Sequence, residues 1–294
     1  MIAKELAAIS NSRALRHSLM VSGIETVYYE YPANTEHAKT VIMVHGYRGN
    51  HRGLEAIAAG LPDFRVIIPD LPGFGESAAL TETHSVSAYS SWLHEFVSTL
   101  GLDASVNLMG HSFGTLVVGH YATRYQVASV SLVNPVSAPA LEGPQAALTN
   151  LTKIYYHAAA IAPKFVGEWL LRNKMAVMVM SVVMAKSRDR KLRRWIHNQH
   201  LENFSDFASV KVASDGYNAS ISTDLSQLAG GIASPVLIVA AALDDITVID
   251  TQRRVAKLYP NAVLREIQDV GHLVHYEAPD QAAEFITQFI KGLA

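Results

Sequence analysis

Gly110-His111-Ser112-Phe113-Gly114 follows the apolar run 106–109 and precedes an amphipathic stretch. A serine on a sharp strand-to-helix turn has its hydroxyl lifted clear of the sheet. Such a turn closes only with small residues two positions to either side. It also aims the backbone N–H of Phe113, at a helix start, toward a reacting oxygen. A serine hydroxyl alone is a poor nucleophile and needs a base. His272, in Val270-Gly271-His272-Leu273, stands just after the last strand-like run. An imidazole, with a pKa of about 6.5, can take a proton at neutral pH and return it. The base in turn needs an acid to set its tautomer and stabilise the imidazolium. Asp244 follows the run 236–240 by a short loop, and Asp245 beside it is the competing candidate.

These residues need elements to carry them to one edge. Short β-branched runs at 27–31, 40–44, 66–69, 106–109, 129–133, 236–240 and 263–267 alternate with helical patterns near 51–60, 87–100, 112–125, 250–258 and 279–292. Nearly all-apolar runs are what parallel strands buried on both faces require, and the alternation predicts an α/β fold with helices on both faces of a mostly parallel sheet. Ser112, Asp244 and His272 then fall at the carboxyl edge, where open sheets bind ligands. The alternation breaks once. Residues 137–224 hold no convincing strand and read as helices separated at Gly143-Pro144, Pro163, Ser187 and Asp215-Gly216. The chain is therefore expected to divide into a first core part at 1–136, a helical insertion at 137–224 and a second core part at 225–294.

The loop after 40–44, Val44-His45-Gly46-Tyr47-Arg48-Gly49, is placed to supply a second oxyanion donor, and the Tyr47 N–H is the candidate. His45 reads as a structural hydrogen-bonding residue. Asp70-Leu71-Pro72-Gly73-Phe74-Gly75-Glu76-Ser77 lacks the spacing of a phosphate loop and reads as a rigid turn shaping the site wall. His275, three residues beyond His272, has no evident third ligand to make a metal pair and reads as a local packing residue.

Composition excludes several classes. The 294 residues are 49% hydrophobic and 17% charged, against about 25% charged in an average domain, so a disordered chain is excluded. A net charge of −2 gives no electrostatic reason to expect nucleic acid. With no cysteine there is no disulfide, no thiolate nucleophile and no cysteine-containing metal site. Residues 1–10 carry Lys4 and Glu5 within their apolar pattern, which is unlike a secretory leader. The apolar run 175–185 is too short for a membrane span of about 20 residues. The expected location is the cytoplasm, with no stable membrane insertion. The small net charge conceals a contrast: 137–224 carries 11 Lys/Arg against 7 Asp/Glu, and the remainder 13 against 19.

Together these residues resemble the α/β-hydrolase superfamily in its capped, single-domain serine hydrolase branch. The resemblance is carried by His45-Gly46, the turn from Asp70 through Gly73-Phe74-Gly75-Glu76-Ser77, the Gly-His-Ser-Phe-Gly elbow, Pro235-Val236-Leu237-Ile238 ahead of Asp244, and Gly271-His272 with Glu277 and Pro279. The order Ser112, Asp244, His272 fits it and differs from the orders of two other serine hydrolase architectures. Many members have glycine where Ala241 and Thr115 stand here. The resemblance implies an eight-stranded-type sheet with a helical cap, and Asp244 rather than Asp245 as the acid. It also implies hydrolysis of an ester-like bond through an acyl-enzyme, without metal or organic cofactor. A serine nucleophile argues against epoxide hydrolases and haloalkane dehalogenases of this fold. His111 and Leu273 make a carbon–carbon bond hydrolase of ring-cleavage products the lesser alternative. Cofactor-free oxygenases, acyltransferases and a slow-turnover ligand receptor on the same fold stay open.

The expected partner is a small, apolar molecule, taken by a monomer or homodimer. Within the insertion, Met175, Met178, Met180 and Met184 cluster; Met175 and Met178 are the candidates to line an acyl pocket. The basic run 186–195 reads first as a solvated helix face, and more sharply as a guide for anionic substrates or an anionic membrane surface.

Overall fold

The computed structural model describes residues 3–139 and 146–293. Met1, Ile2 and the expected break at Gly143-Pro144 lie outside the described residues. Eight strands form one sheet: β1 (Leu15–Val21), β2 (Ile24–Tyr31), β3 (Thr40–Val44), β4 (Arg65–Pro69), β5 (Asn107–His111), β6 (Ser129–Val133), β7 (Val236–Ala241) and β8 (Ala262–Ile267). Their spatial order is β1-β2-β4-β3-β5-β6-β7-β8. The first three in space pair antiparallel and the rest parallel. The expected mostly parallel sheet is present, and the seven sequence-read runs each fall on a strand to within a few residues.

β1 is the strand that periodicity missed. It lies at the sheet edge with most of its residues exposed or half-buried, so Leu15-Arg-His-Ser-Leu-Met-Val21 lacks the all-apolar character of its neighbours. Its pairing with β2 runs through a two-residue turn, Ser22-Gly23, with both φ angles positive (50° and 79°), the turn class that matches strand twist.

The central strands are buried on both faces, and alternation along each divides the core. On β3, Ile42 and Val44 face one cluster while Val41 and Met43 face the other. The first cluster is closed by α3 (Val86–Thr99) and α4 (Phe113–Ala122), which supply Trp92, Phe96, Leu116 and Tyr121. The second is closed by α2 (Glu55–Ala59) and by the last helix at Pro279–Gly292, which supply Ile57, Ala282 and Ile286. An unread helix, α1 (Ala3–Arg13), packs on α2 through Ala3 and Leu6.

Between β6 and β7 the described residues contain helices and no named strand: α5 (Ala146–Ile161), α6 (Lys164–Leu171), α7 (Lys174–Met184), α8 (Arg190–Asn203), α9 (Val210–Ser222) and α10 (Leu225–Leu228). After β7 come α11 (Ile249–Ala256), α12 (Val274–Glu277) and α13 (Pro279–Gly292). Side-chain caps start several of them. Asn173 accepts from the N–H groups of Met175 and Ala176, Asp189 from those of Lys191 and Leu192, and Ser209 from that of Val212.

α4 begins directly against the sheet. A Cβ on Gly114 would collide with the Val44 carbonyl oxygen of β3, and one on Gly110 with the Gly114 carbonyl group. Both glycines are therefore required by close approach rather than by flexibility. Gly114→Ala is expected to cost about 3 kcal/mol of unfolding free energy, because backbone on both sides must shift. Gly230→Ala, where an added Cβ meets nothing within 4 Å, should stay within about 0.5 kcal/mol of the parent. Urea unfolding of the two variants beside the parent checks both values.

Candidate active site

Ser112 sits between β5 and α4 with φ 51° and ψ −118°, outside the regions that L-residues ordinarily occupy. Strain of this kind persists only where the surroundings over-determine it. The Gly110–Gly114 contact is one such constraint. Two hydrogen bonds add others: Ser112 N–H donates to Val133 O on β6 at 3.0 Å, and Thr115 Oγ1 donates to Ser112 O at 2.5 Å. The Thr115 hydroxyl also accepts from Val136 N–H at 3.3 Å, so it ties the turn to the chain leaving β6.

His272 Nε2 lies 2.8 Å from Ser112 Oγ, and His272 Nδ1 lies 2.8 Å from Asp244 Oδ2. Asp244 is 3% exposed and His272 likewise 3%, so the carboxylate and imidazole meet where water screens them little. Burial works to raise the Asp244 pKa, but His272 and the N–H groups of Ile246 and Thr247 outweigh it and hold the carboxyl below its usual range. Asp245 does not share this place. It is half exposed and makes an ion pair with Lys186.

Sequence reading missed Asn134. It follows β6 with φ 47°, and its side chain spans both loops of the site. Nδ2 donates to Asp244 Oδ2 at 3.1 Å and to Gly271 O at 3.4 Å, while Oδ1 accepts from Val274 N–H at 3.3 Å. Asn134 thus holds the Asp244 carboxylate and the His272 loop in one frame. The only sequence signal was its place after a buried strand at the carboxyl edge.

Phe113 is the first residue of α4, so its N–H belongs to the helix-start donors that have no partner within the helix. The second candidate donor, Tyr47, follows Gly46, whose position for a Cβ lies 3.3 Å from Ser112 Cβ. The Tyr47 loop is anchored from both directions. Tyr47 Oη donates to Ala213 O of α9 at 2.6 Å, and its ring packs on Phe74, Tyr156 and Tyr217. Next along, Arg48 is buried with φ 57°. Its guanidinium donates to Phe204 O at 2.8 Å, Tyr156 Oη at 3.0 Å and Leu171 O at 2.6 Å. Leu171 ends α6 and Phe204 caps α8, so the buried cation sits on the negative ends of two helix dipoles.

His45 accepts from Leu71 N–H at its Nε2 (2.9 Å), leaving Nδ1–H to donate to Gly46 O (2.9 Å). Asp70 is fully buried; its Oδ1 accepts from His51 N–H, and its Oδ2 accepts from Glu76 N–H. A Cβ on Gly75 would collide with the same carboxylate, which is how the 70–77 turn is pinned.

The cavity over Ser112 is about 1200 Å³, larger than most small-molecule sites. It is lined by Gly46, Tyr47, Ser112 and His272 at its floor. The wall contributed by α7 is Ala176, Val177, Val179, Met180, Val183 and Met184. The structure places Met175 at 74% exposed, and neither it nor Met178 is on the lining; the helical period turns Met180 and Met184 inward instead. The basic run 186–195 is not wholly a solvated face: Leu192, Trp195 and Ile196 of α8 pack against Leu273 and Tyr276.

Two further histidines lie beside His272. His275 packs on His111 with centroids 4.0 Å apart, and His111 lies 5.7 Å from His272. Burial first, then the neighbouring imidazoles, hold His111 down to about 3 and His275 well below its ordinary value; burial also lowers His200 to about 4.

The eight-stranded, mostly parallel sheet with the Ser112 turn at its carboxyl edge defines the fold class, and the chain belongs to the alpha/beta hydrolase fold family, whose model matches residues 39–279. Among curated proteins it is similar to Lipase 1 of Psychrobacter immobilis, 26% identical over an alignment of 285 positions that covers 90% of this chain and 80% of that one. Lipase 3 of Moraxella sp. (strain TA144) is 25% identical over 287 residues, covering 93% and 84% respectively. Among solved structures, a thermophilic esterase from Thermogutta terrifontis superposes with a TM-score of 0.76 at 20% identity, covering 95% of this chain and 99% of that one. No described helix is long and apolar enough to cross a membrane.

The lowered pKa values of the buried histidines make stability depend on pH on the acid side. Their folded pKa values lie below the unfolded value of about 6.5, so as pH falls below that value the unfolded chain binds protons that the folded chain does not. Stability should therefore fall from about pH 6.5 toward pH 4, by roughly 1 kcal/mol per pH unit for each such histidine. Replacing His200 by Gln should reduce the slope by that amount between pH 6 and 5, read from urea midpoints across a pH series.

Proposed function

We propose that this chain is a serine hydrolase cleaving carboxylic ester-like bonds of an apolar small molecule, with residues 137–224 acting as the cap that shapes its pocket. The observation that carries the reading is the continuous contact from Asp244 through His272 to Ser112 Oγ, at 2.8 Å each, on the floor of an apolar cavity.

In this reading His272 Nε2 takes the Ser112 proton as Oγ attacks the substrate carbonyl carbon. The oxyanion formed is held by the N–H groups of Phe113 and Tyr47. The intermediate collapses, the C–O bond to the leaving group breaks, and His272 returns the proton to the departing alcohol. Water, deprotonated by the same imidazole, then attacks the acyl carbon and releases the acid and Ser112. Asp244 keeps Nδ1–H oriented and stabilises the imidazolium without accepting its proton. A carboxyl held below its usual range by hydrogen bonds suits that task. His111 and His275, kept neutral by burial, are poor substitutes for the base. The reading calls for no cofactor.

Ser112→Ala should lower kcat for p-nitrophenyl esters by roughly 10⁴-fold or more with the thermal transition unchanged, and should abolish stoichiometric labelling by a fluorophosphonate. Retained turnover in the variant would overturn the mechanism. The cavity wall makes a second expectation. Met180→Trp should fill part of the pocket, lowering kcat/KM for long-chain esters about tenfold while an acetyl ester changes by less than about twofold. A graded acyl-length panel measures both.

A further inference from the structure

The helices around the cavity leave large apolar side chains in water. Phe165 and Trp169, four residues apart on α6 and so on one face, are 75% and 64% exposed. Ile154 and Ile161 on α5 are 65% and 72% exposed, and Met175 on α7 is 74%. Single exposed apolar residues need no explanation, but a concentration of this size on three successive helices does. The same helices carry Lys153, Lys164 and Lys174 against one carboxylate, Glu168, while Arg172 beyond α6 is taken up by the Ser205 and Phe207 carbonyls. Residues of the same three helices also line the cavity. Leu151 of α5 and Val179 and Val183 of α7 line it, yet are 63%, 63% and 54% exposed, so the cavity opens to solvent between these two helices.

We propose that the outer face of α5, α6 and α7 docks on the surface of a lipid bilayer containing anionic headgroups. Phe165 and Trp169 enter the headgroup boundary, the lysines meet the phosphates, and the cavity mouth faces the acyl chains. Aromatic and aliphatic side chains flanked by cations are what an interfacial helix needs, and helices too short to span can still lie in that plane. The charge also argues against the other obvious cover, a second copy of this chain. A twofold contact through the same face would bring together two surfaces of the same net positive charge. For the substrate, the inference deepens the proposed hydrolysis: an apolar ester would enter the cavity from the bilayer. The docking itself does not depend on that reading.

The test separates the two. The Ser112→Ala protein, which hydrolyses nothing under the proposed mechanism, is mixed with phosphatidylcholine vesicles with and without phosphatidylglycerol and floated on a gradient. It should float with the anionic vesicles, less so at high salt, with a blue shift in tryptophan emission. Adding Phe165→Ser and Trp169→Ser should lower partitioning on the order of tenfold or more. The same two changes with Ser112 intact should leave turnover of a soluble acetyl ester unchanged, which shows that the variant is folded. No flotation, equal flotation of parent and variant, or a dimer that the two substitutions dissociate would overturn the docking. Flotation without turnover of any ester by the parent would support the docking and sink the hydrolysis reading alone.

Discussion

α4 starts so close to the central sheet that neither Gly110 nor Gly114 has room for a side chain, and the chain between them must turn through Ser112 at φ 51°. This steric constraint comes before any electrostatics. It sets the serine hydroxyl at the sheet edge, the Phe113 N–H at the start of a helix, and the close approach of Gly46 to Ser112. The cost of one unfavourable backbone residue, about 1–3 kcal/mol, is offset by the sheet and helix core on either side. Trp92, Phe96, Leu116 and Tyr121 pack on one face and Ile57 and Ile286 on the other.

Around that turn, buried charge is handled by pairing or by dipoles. Asp244 has His272 and two backbone N–H groups; Asp70 has His51 and the 76 N–H. Arg48 has helix C-terminal carbonyls. The last arrangement joins two parts of the molecule, because Arg48 adjoins Tyr47 in the core loop and its acceptors belong to helices between β6 and β7. A second tie lies across the cavity. Glu277 accepts from the N–H groups of Lys186, Ser187 and Gly271, and Lys186 pairs with Asp245. Helices that shape the cavity are thus fastened beside the Tyr47 loop at one end and beside the His272 loop at the other. Movement of those helices would be felt at both.

Much of the fold was legible because its strands are short, apolar and buried on both faces, a pattern that survives without context. β1 was not, since an edge strand alternates with solvent and is held by pairing with β2 rather than by its own composition. α1 was missed for a similar reason: its weak amphipathic pattern gains meaning only from packing on α2. The side chains now found in contact at Ser112, His272 and Asp244 were readable because each lies just past a recognisable strand. Asn134 was as well placed, but its side-chain contacts reach residues more than a hundred positions away, and no local pattern records them.

The methionines divide the two kinds of information. Four of them within α7 mark an apolar helix wherever it is put. Which of them face the cavity depends on how α7 rolls against α8 and the His272 loop, and that rotation put Met180 and Met184 inside and Met175 in water. By itself the sequence determined the strand–helix alternation, the small residues of the Ser112 turn and the places of Ser112, Asp244 and His272 just past their strands, because these follow from local sterics and periodicity. Tertiary structure alone decided the pairing of Asp245 with Lys186, the frame built by Asn134, the grip of Arg48 on two helix ends and the apolar face left open on α5 to α7. Each is a contact between distant segments, whose energy exists only once the chain has brought them together.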